Sequence, residues 1–555
     1  MQLLFRSVLL VGVATLSLAA CSTDLEVTNP NNADITRALA RPSDVENLLA
    51  GGFNQVVNNT TGGSNDNLNN SFQVMAHENY TGLANFNMGP RAGLPRTPIL
   101  NFPNNPGSAS VSNDWNGLAR LARSTTIALE RLGTSGFTLG SPAQDLRARS
   151  YGRFVLGLAL GNLALSYDSA SVVVPGGEAV PALVRYDSVM RAAIKLLDDA
   201  LADATSPVAA GAGGFPLPAT WLNLATGSVS ADQFQRIIRS YRARFRANVA
   251  RTPAERGAVN WALVIADAQA GITGDLNIAM NPAAGWTHAW VVQHYAGTNW
   301  HVMTPMIIGM ADSTGADYQA WLNQPLLNRT PFLIRTVDRR FPSGNDRSAQ
   351  QASSNGGAQG AVLPAGVYFR NRQSANDGAA ADGTWGFSWY DHGRYQAFQN
   401  AARIGTYPHM VMPEMWALIA EGAIRSNNFA LAAEMINNTR VSRGGLPSVA
   451  GITDLNTPVP GGNACVPRIP VATGGNFTTR CGNILEAMKW EKRMETAYIQ
   501  YGAWYFDMRG WGDLPEGTPI HFPIPWQERD VRVQPYTNMG GVGQPGGSLR
   551  GTYGF

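Results

Sequence analysis

Apolar residues recur along this chain at the three- and four-residue spacing of a helix face, in blocks separated by Gly, Pro and Asn. The first block opens on Pro42-Ser43-Asp44, carries Val45, Leu48, Leu49 and Phe53 as its stripe, and weakens at Gly51-Gly52. Residues 58–72 are rich in Asn, Gly and Ser and read as loop. "NDWNGLARLARSTTIALERLG" then places Trp115, Leu118, Leu121, Ala122, Thr125 and Leu129 on one face. "RSYGRFVLGLALGNLALSYDSA" differs, being apolar almost all round from Phe154 to Leu165. That pattern predicts a helix buried on every side, with Gly152, Gly157 and Gly161 admitting close neighbours at some loss of helix propensity. An amphipathic partner follows, with Val189, Ala193, Leu196, Leu197 and Leu201 inward, and then "DQFQRIIRSYRARFRANVAR" and "NWALVIADAQAGI" around a turn at Pro253.

The clearest unit is Pro413 to Leu446, 34 residues long. With Trp416 in the first position of the tetratricopeptide pattern, Ile419, Ala420 and Ala423 take the next three and Ala432 and Ile436 the A-x3-F positions, a match of size and shape rather than identity. The expected architecture is all-α: stacked helix pairs over about 40–270 and 408–446, interrupted by a loop-rich insertion over about 273–406. That insertion carries two aromatic clusters, "GWTHAWVVQHYAGTNWH" and "GTWGFSWYDHGRYQAF", with "PSGNDRSAQQASSNGGAQGA" between them reading as low-complexity loop. Near the end, "ILEAMKWEKRMETAYIQYGAWYFDMRGWGDLP" starts as a helix with Ile484, Met488, Trp490, Met494, Ala497, Tyr498, Tyr501 and Trp504 on a broad apolar face. Its charged residues from Glu486 to Glu495 are expected mostly on other faces, pairing locally, and Asp507 and Arg509 as polar ties inside an aromatic cluster.

Composition narrows the function classes. The chain has 555 residues, 44% hydrophobic and 15% charged, with Gly 59, Pro 33 and a net charge of +3, globular and too near neutral to imply a nucleic-acid partner. Lysine is scarce: only Lys195, Lys489 and Lys492, a bias read as one of nucleotide composition. At the amino terminus Arg6, an apolar run from Val8 to Ala20 and small residues before Cys21 have the layout of an export signal. "LAAC" resembles the bacterial lipoprotein signal, so residues 1–20 are expected to be removed and Cys21 to carry the lipid, the alternative being an ordinary signal with an incidental Cys. Cys465 and Cys481, spaced C-x15-C without nearby His, suit a structural disulfide better than zinc or a redox pair.

"WEKRMETAYIQYGAWYFDMRGWGDL" followed by "FPIPWQE" resembles the carboxy-terminal signature of SusD/RagB-like outer-membrane lipoproteins, here 484–530. The lipoprotein start, "LEVTNPNNADITRAL" and "AEGAIRSNNFALAAEMINNTRVSRGGLP" extend the likeness over nearly the whole chain, residues 21–555. The Cys465–Cys481 loop is a departure from many members. The resemblance implies a SusD-like superfold of four tetratricopeptide-like pairs, a ligand face made by insertions, attachment to the outer membrane facing the exterior, and capture of a glycan or peptide for a SusC-like TonB-dependent transporter. In that family the signature is structural, not catalytic.

Sugars stack on aromatic rings while their hydroxyls need polar neighbours. Trp286, Trp290, Tyr295, Trp300, Trp385, Trp389 and Tyr390 have such company in His294, Asn299, His301, Asp391 and Arg394, although a small core for the insertion is the competing use of the same rings. No metal, cofactor or catalytic motif is present: no H-E-x-x-H, no nucleotide-binding glycine pattern, and His77-Glu78 reads as surface or packing. Arg236, Arg239, Arg242, Arg244 and Arg246 read as solvated repeat surface. A surface glycoside hydrolase is the alternative; Asp382, Asp391 and Glu414 would be its carboxylates.

Overall fold

The computed structural model describes residues 35–63, 66–105, 107–177, 180–287, 301–374, 377 and 385–555. Residues 1–34, with Cys21 and the export signal, lie outside these. The longer helices are α1 (Pro42–Ala50), α2 (Gly52–Asn58), α3 (Leu68–Met75), α4 (Ser108–Leu132), α5 (Pro142–Ser166), α6 (Tyr186–Thr205), α7 (Ala231–Asn248), α8 (Trp261–Gln269), α9 (Met412–Arg425), α10 (Phe429–Arg440), α11 (Ile484–Thr496) and α12 (Ala503–Trp511). Their starts follow capping chemistry. Ser141 accepts from the Gln144 amide ahead of Pro142, and Ser230 and Gln233 form a reciprocal box at α7. Asn483 accepts from Glu486 at α11.

Helices pack in succession, α4 on α5, α5 on α6, α6 on α7, α7 on α8, α8 on α9, and α9 on both α10 and α11. At the centre lies α5, fully buried from Phe154 to Ser166, as its uniform apolar sequence requires. Its glycines are contact points. A Cβ on Gly161 would sit 2.1 Å from Cε2 of Phe245 on α7, and one on Gly157 3.0 Å from Cδ2 of Leu197 on α6.

Among the described residues the strands form antiparallel pairs only: β1 (Ser169–Ser171) with β2 (Leu183–Arg185), β3 (Leu276–Met280) with β6 (Gly405–Met410), β4 (Phe369–Asn371) with β5 (Tyr390–His392), and β7 (Arg468–Thr473) with β8 (Asn476–Cys481). Leu276 faces Met410 and Met280 faces Gly405, so the long insertion leaves the helical body and rejoins it at one place.

Four local expectations need correction. The first helix is split at Gly51, and Leu48 is left 37% exposed while Val45, Leu49 and Phe53 are buried. α3 occupies part of the supposed loop at 58–72, capped by Asn67, which accepts from Asn70. Within the supposed low-complexity loop, Asp346 caps a helix over Arg347–Ser353 and Gln350 is buried. The Cys465 to Cys481 stretch is a hairpin, turning at Gly474-Gly475 with φ of +57° and +93°, values that a glycine pair adopts without strain. A disulfide joins the two cysteines, their Cα atoms 5.8 Å apart.

Gly161→Ala should displace the Phe245 ring and cost about 1–3 kcal/mol in denaturant unfolding of the full chain. Shrinking the ring by Phe245→Leu in that background should recover part of the loss. An undiminished stability in Gly161→Ala would contradict the close α5–α7 contact.

Candidate functional site

The segment 484–513 mixes aromatic rings and ions in a way that invites a catalytic reading. Helix α11 ends at Thr496, and the chain turns through Tyr498 at φ +61° and Gly502 at φ +56° before α12 begins. A tyrosine in the left-handed region is strained and needs outside support. It has that support: its amide donates to Glu78 Oε1 at 2.6 Å, and its carbonyl accepts from the Tyr407 hydroxyl at 2.6 Å. Continuous helix was the expectation, and these tertiary bonds are what break it.

The charged residues of α11 are buried, not displayed on outer faces; Glu486 and Lys489 pair locally as expected, and the other partners are remote. Lys492 Nζ donates to Asp507 Oδ1 at 2.8 Å. Arg256, in the short helix Pro253–Gly257, reaches the same oxygen at 3.3 Å and clamps Glu421 of α9 at 2.6 and 2.9 Å. Lys489 bridges Glu486 and Asp513, and Arg493 donates to Asp513 and to the Tyr553 hydroxyl. Glu491 accepts from Arg340 of the insertion at 2.8 and 3.0 Å, and Arg340 also clamps Asp338. Trp511 lies among Lys489, Lys492, Arg493 and Arg256, with their charged atoms 5.3–5.9 Å from its rings. Two of the three lysines are therefore structural, a use that composition did not suggest.

Arg509 acts differently. Its guanidinium donates to the Leu165 carbonyl at the end of α5, to Asn248 at the end of α7, and to Ile520. Helix ends carry unsatisfied carbonyls and partial negative charge, which a buried cation satisfies at both termini at once. Burial alone would raise the Glu421 carboxyl, yet Arg256 beside it holds it down to about 2. For Asp507 burial prevails over Lys492 and Arg256, and its carboxyl is raised. Every carboxylate named in this segment is engaged by a cation, and none faces an open cleft. It is a packed junction.

The ring candidates separate into three groups. Trp290, Tyr295 and Trp300, like His294, Asn299 and Asp382, lie outside the described residues. Trp286, Trp385 and Tyr390 are buried at 9%, 6% and 0% exposure. Trp286 packs on Phe53, Trp385 stands edge-on to Tyr80 and His77, and the Tyr390 hydroxyl donates to Gln350 and accepts from the Ile334 amide. In the described structure these three serve as core, Trp286 and Trp385 joining the insertion to the amino-terminal part and Tyr390 filling the insertion itself. Trp389 alone of the described candidates is half-buried. The Arg347 guanidinium lies 4.7 Å from its ring centroid, positioned by Asp377 at 2.8 Å and the Arg372 carbonyl at 2.9 Å. Arg347 and Asp377 were missed; the Asp346 cap and following helix were the available signal.

Among the polar companions, His301 is buried. Asp391 is held between Arg370 and Arg372, and Arg394 stacks on Tyr368. Glu414 accepts twice from Arg244 at 2.7 Å and also from Gln500, so neither Asp391 nor Glu414 stands free across a cleft. The arginine-rich helix α7 is only partly solvated: Arg242 and Arg246 pair with Asp267, and the half-buried Arg244 pairs with the buried Glu414. Glu78 ties to Tyr498, which settles the His77-Glu78 pair as packing. Among the described residues no group of three or more His, Cys, Asp or Glu is placed to hold a metal, and no helix is long and apolar enough to cross a membrane.

No family model matches the chain, and no curated protein does. Among solved structures, a SusD superfamily protein from Bacteroides thetaiotaomicron is 11% identical, covering 88% of this chain and 98% of its own with a TM-score of 0.50. A SusD superfamily protein from Bacteroides vulgatus is 12% identical, covering 88% and 97%, with a TM-score of 0.49. A laminarin-binding SusD-like protein is 12% identical, covering 91% and 100%, with a TM-score of 0.48. At such identities the likeness is one of fold.

Lys492→Met would leave Asp507 with Arg256 alone and should cost about 3–5 kcal/mol by denaturant unfolding; an unchanged stability would contradict the pairing. Glu78 gives a pH signature. Burial pushes its carboxyl up to about 8, against the pull of the Tyr498 amide, whereas in the unfolded chain it ionises near 4.5. Between those values the folded state holds a proton that the unfolded state has lost, so stability should fall as pH rises through that window. Wild type minus Glu78→Gln, measured by denaturant at several pH values, should decline accordingly. A difference independent of pH would mean Glu78 is not neutral in the fold.

Proposed function

Because the chain has the SusD fold, we propose that it is a lipid-anchored, cell-surface binding protein that captures oligosaccharide and delivers it to a SusC-like TonB-dependent transporter. Cys21 is the lipid attachment point in this reading, and several acyl chains suffice for stable anchoring. The helical stack is the rigid body, and the insertion between β3 and β6 carries the ligand face. The observation that carries the reading is Trp389, the candidate ring left partly open, with Arg347 and Asp377 beside it to meet hydroxyl groups. Trp290, Tyr295 and Trp300 belong to the same proposed face. A peptide is the other ligand class consistent with it.

The hydrolase alternative needs two carboxylates opposed across a scissile bond. Asp391 and Glu414 are each committed to arginine, which favours capture without cleavage.

Titrating the full chain with a panel of glycans should give saturable binding without release of shortened products. Trp389→Ala should weaken that binding roughly five- to tenfold, the size of a lost ring contact, while Tyr390→Phe should leave it nearly unchanged. Equal binding by Trp389→Ala and wild type would remove Trp389 from the face, and product release with turnover would favour the hydrolase.

A further inference from the structure

A groove of about 700 Å³ runs between the end of α4, the first half of α5 and the middle of α6. Leu129, Leu132 and Leu196 form its floor, and Val174 and Ala192, both half-buried, its apolar sides. Arg149, Arg153 and Lys195 line it too, against a single lining acid, Asp199. Lys195 pairs with Asp199 at 2.5 Å, Arg153 pairs with Asp203 at 2.7 Å, and Arg149 acts on Asp203 through space. Ion pairs this open to water are weak, so a carboxylate arriving from outside can share their cations.

Apolar surface gathered in one recess marks an interaction site, and the position of this one points to an occupant from the same chain. The Leu39 carbonyl accepts from Arg131 Nε at 3.0 Å, one residue along α4 from Leu132 of the floor, so the described chain enters beside the groove. Upstream of that entry, residues 22–36 carry three acids, Asp24, Glu26 and Asp34, and no Lys or Arg. Within them Asp24-Leu25-Glu26-Val27 alternates acidic and apolar residues, which in extended chain sets Leu25 and Val27 on one side and both carboxylates on the other. Eight residue steps separate Val27 from Ile35, a reach of about 26 Å. We propose that residues 24–27 dock in this groove, Leu25 and Val27 on the leucine floor and Asp24 and Glu26 toward Arg149, Arg153 and Lys195. Combined with the proposed lipid at Cys21, three positions before Asp24, such docking turns this face of the body to the membrane. The docking itself rests on neither lipid nor glycan.

Ala192→Cys places a thiol in the groove with little change of volume, and Leu48→Cys, at a position 37% exposed on α1, places a reference thiol outside it. Each variant of the full chain is treated with a thiol reagent, and labelling is followed position by position by mass spectrometry. Leu25→Asp together with Val27→Asp should speed labelling at position 192 several-fold, and Asp24→Lys together with Glu26→Lys should do the same, whereas Val27→Ile should leave it slow. Labelling at position 48 should stay constant throughout. A rate at position 192 indifferent to all three changes would overturn the proposal; if that rate also fell with protein concentration, a second copy of the chain would be the occupant instead. None of these substitutions touches Trp389, so glycan binding and groove docking can fail separately.

Discussion

A carboxylate or ammonium removed from water must meet its opposite within hydrogen-bond reach, and this requirement organises the molecule more than any other. Segment 484–513 buries Glu486, Lys489, Glu491, Lys492, Arg493, Glu495, Asp507, Arg509 and Asp513 together. Their partners are distributed over the chain: Arg256 after α7, which also clasps Glu421 of α9, Arg340 in the insertion and Tyr553 near the end. Each pair fixes one distance between α11 or α12 and a remote element. Together they leave a single arrangement in which every charge is satisfied. Buried ion pairs often add little net stability, but a wrong register here would strand several charges at once, so specificity is the larger effect. Arg509 extends the logic to backbone, since the ends of α5 and α7 must lie where one guanidinium reaches both.

What could be read in advance follows from which interactions are local. The all-round apolar run of α5 and the 34-residue unit that becomes α9 and α10 depend on spacing within a few turns, and both are found where the pattern places them. The break at Tyr498 depends on Glu78 and Tyr407, some 420 and 91 positions away, and no local pattern announces it. Charged residues of α11 gave the most misleading signal. Spacing by three and four looks like an exposed, locally paired face, whereas the burial comes from helices that arrive from elsewhere. The β7–β8 hairpin was legible, since Gly474-Gly475 between Val471 and Phe477 is a two-residue turn signal, but the surrounding Pro and Thr suggested loop.

The sequence picks out the candidate rings, and the structure sorts them by burial. Aromatic residues concentrate in the insertion as read, yet Trp286 and Trp385 pack against Phe53, Tyr80 and His77 of the amino-terminal part and Tyr390 is buried within the insertion, while Trp389, beside Arg347, is only half-buried. Whether a ring is wall or platform depends on which elements pack beside it, which composition alone does not convey. The helical stack holds shape through α5 and the charged junction, and in the proposed reading the insertion carries the ligand face.

The account rests on the carboxy-terminal segment being a clamp that opens only when the whole body opens. Native-state hydrogen exchange of the full chain measures this directly, comparing amides of α11 and α12 with those of α5 and α7. The clamp predicts that all four helices share the same, highest opening free energy and lose protection together in denaturant. Release of α11 and α12 by a low-energy opening that leaves α5 and α7 fully protected would contradict it.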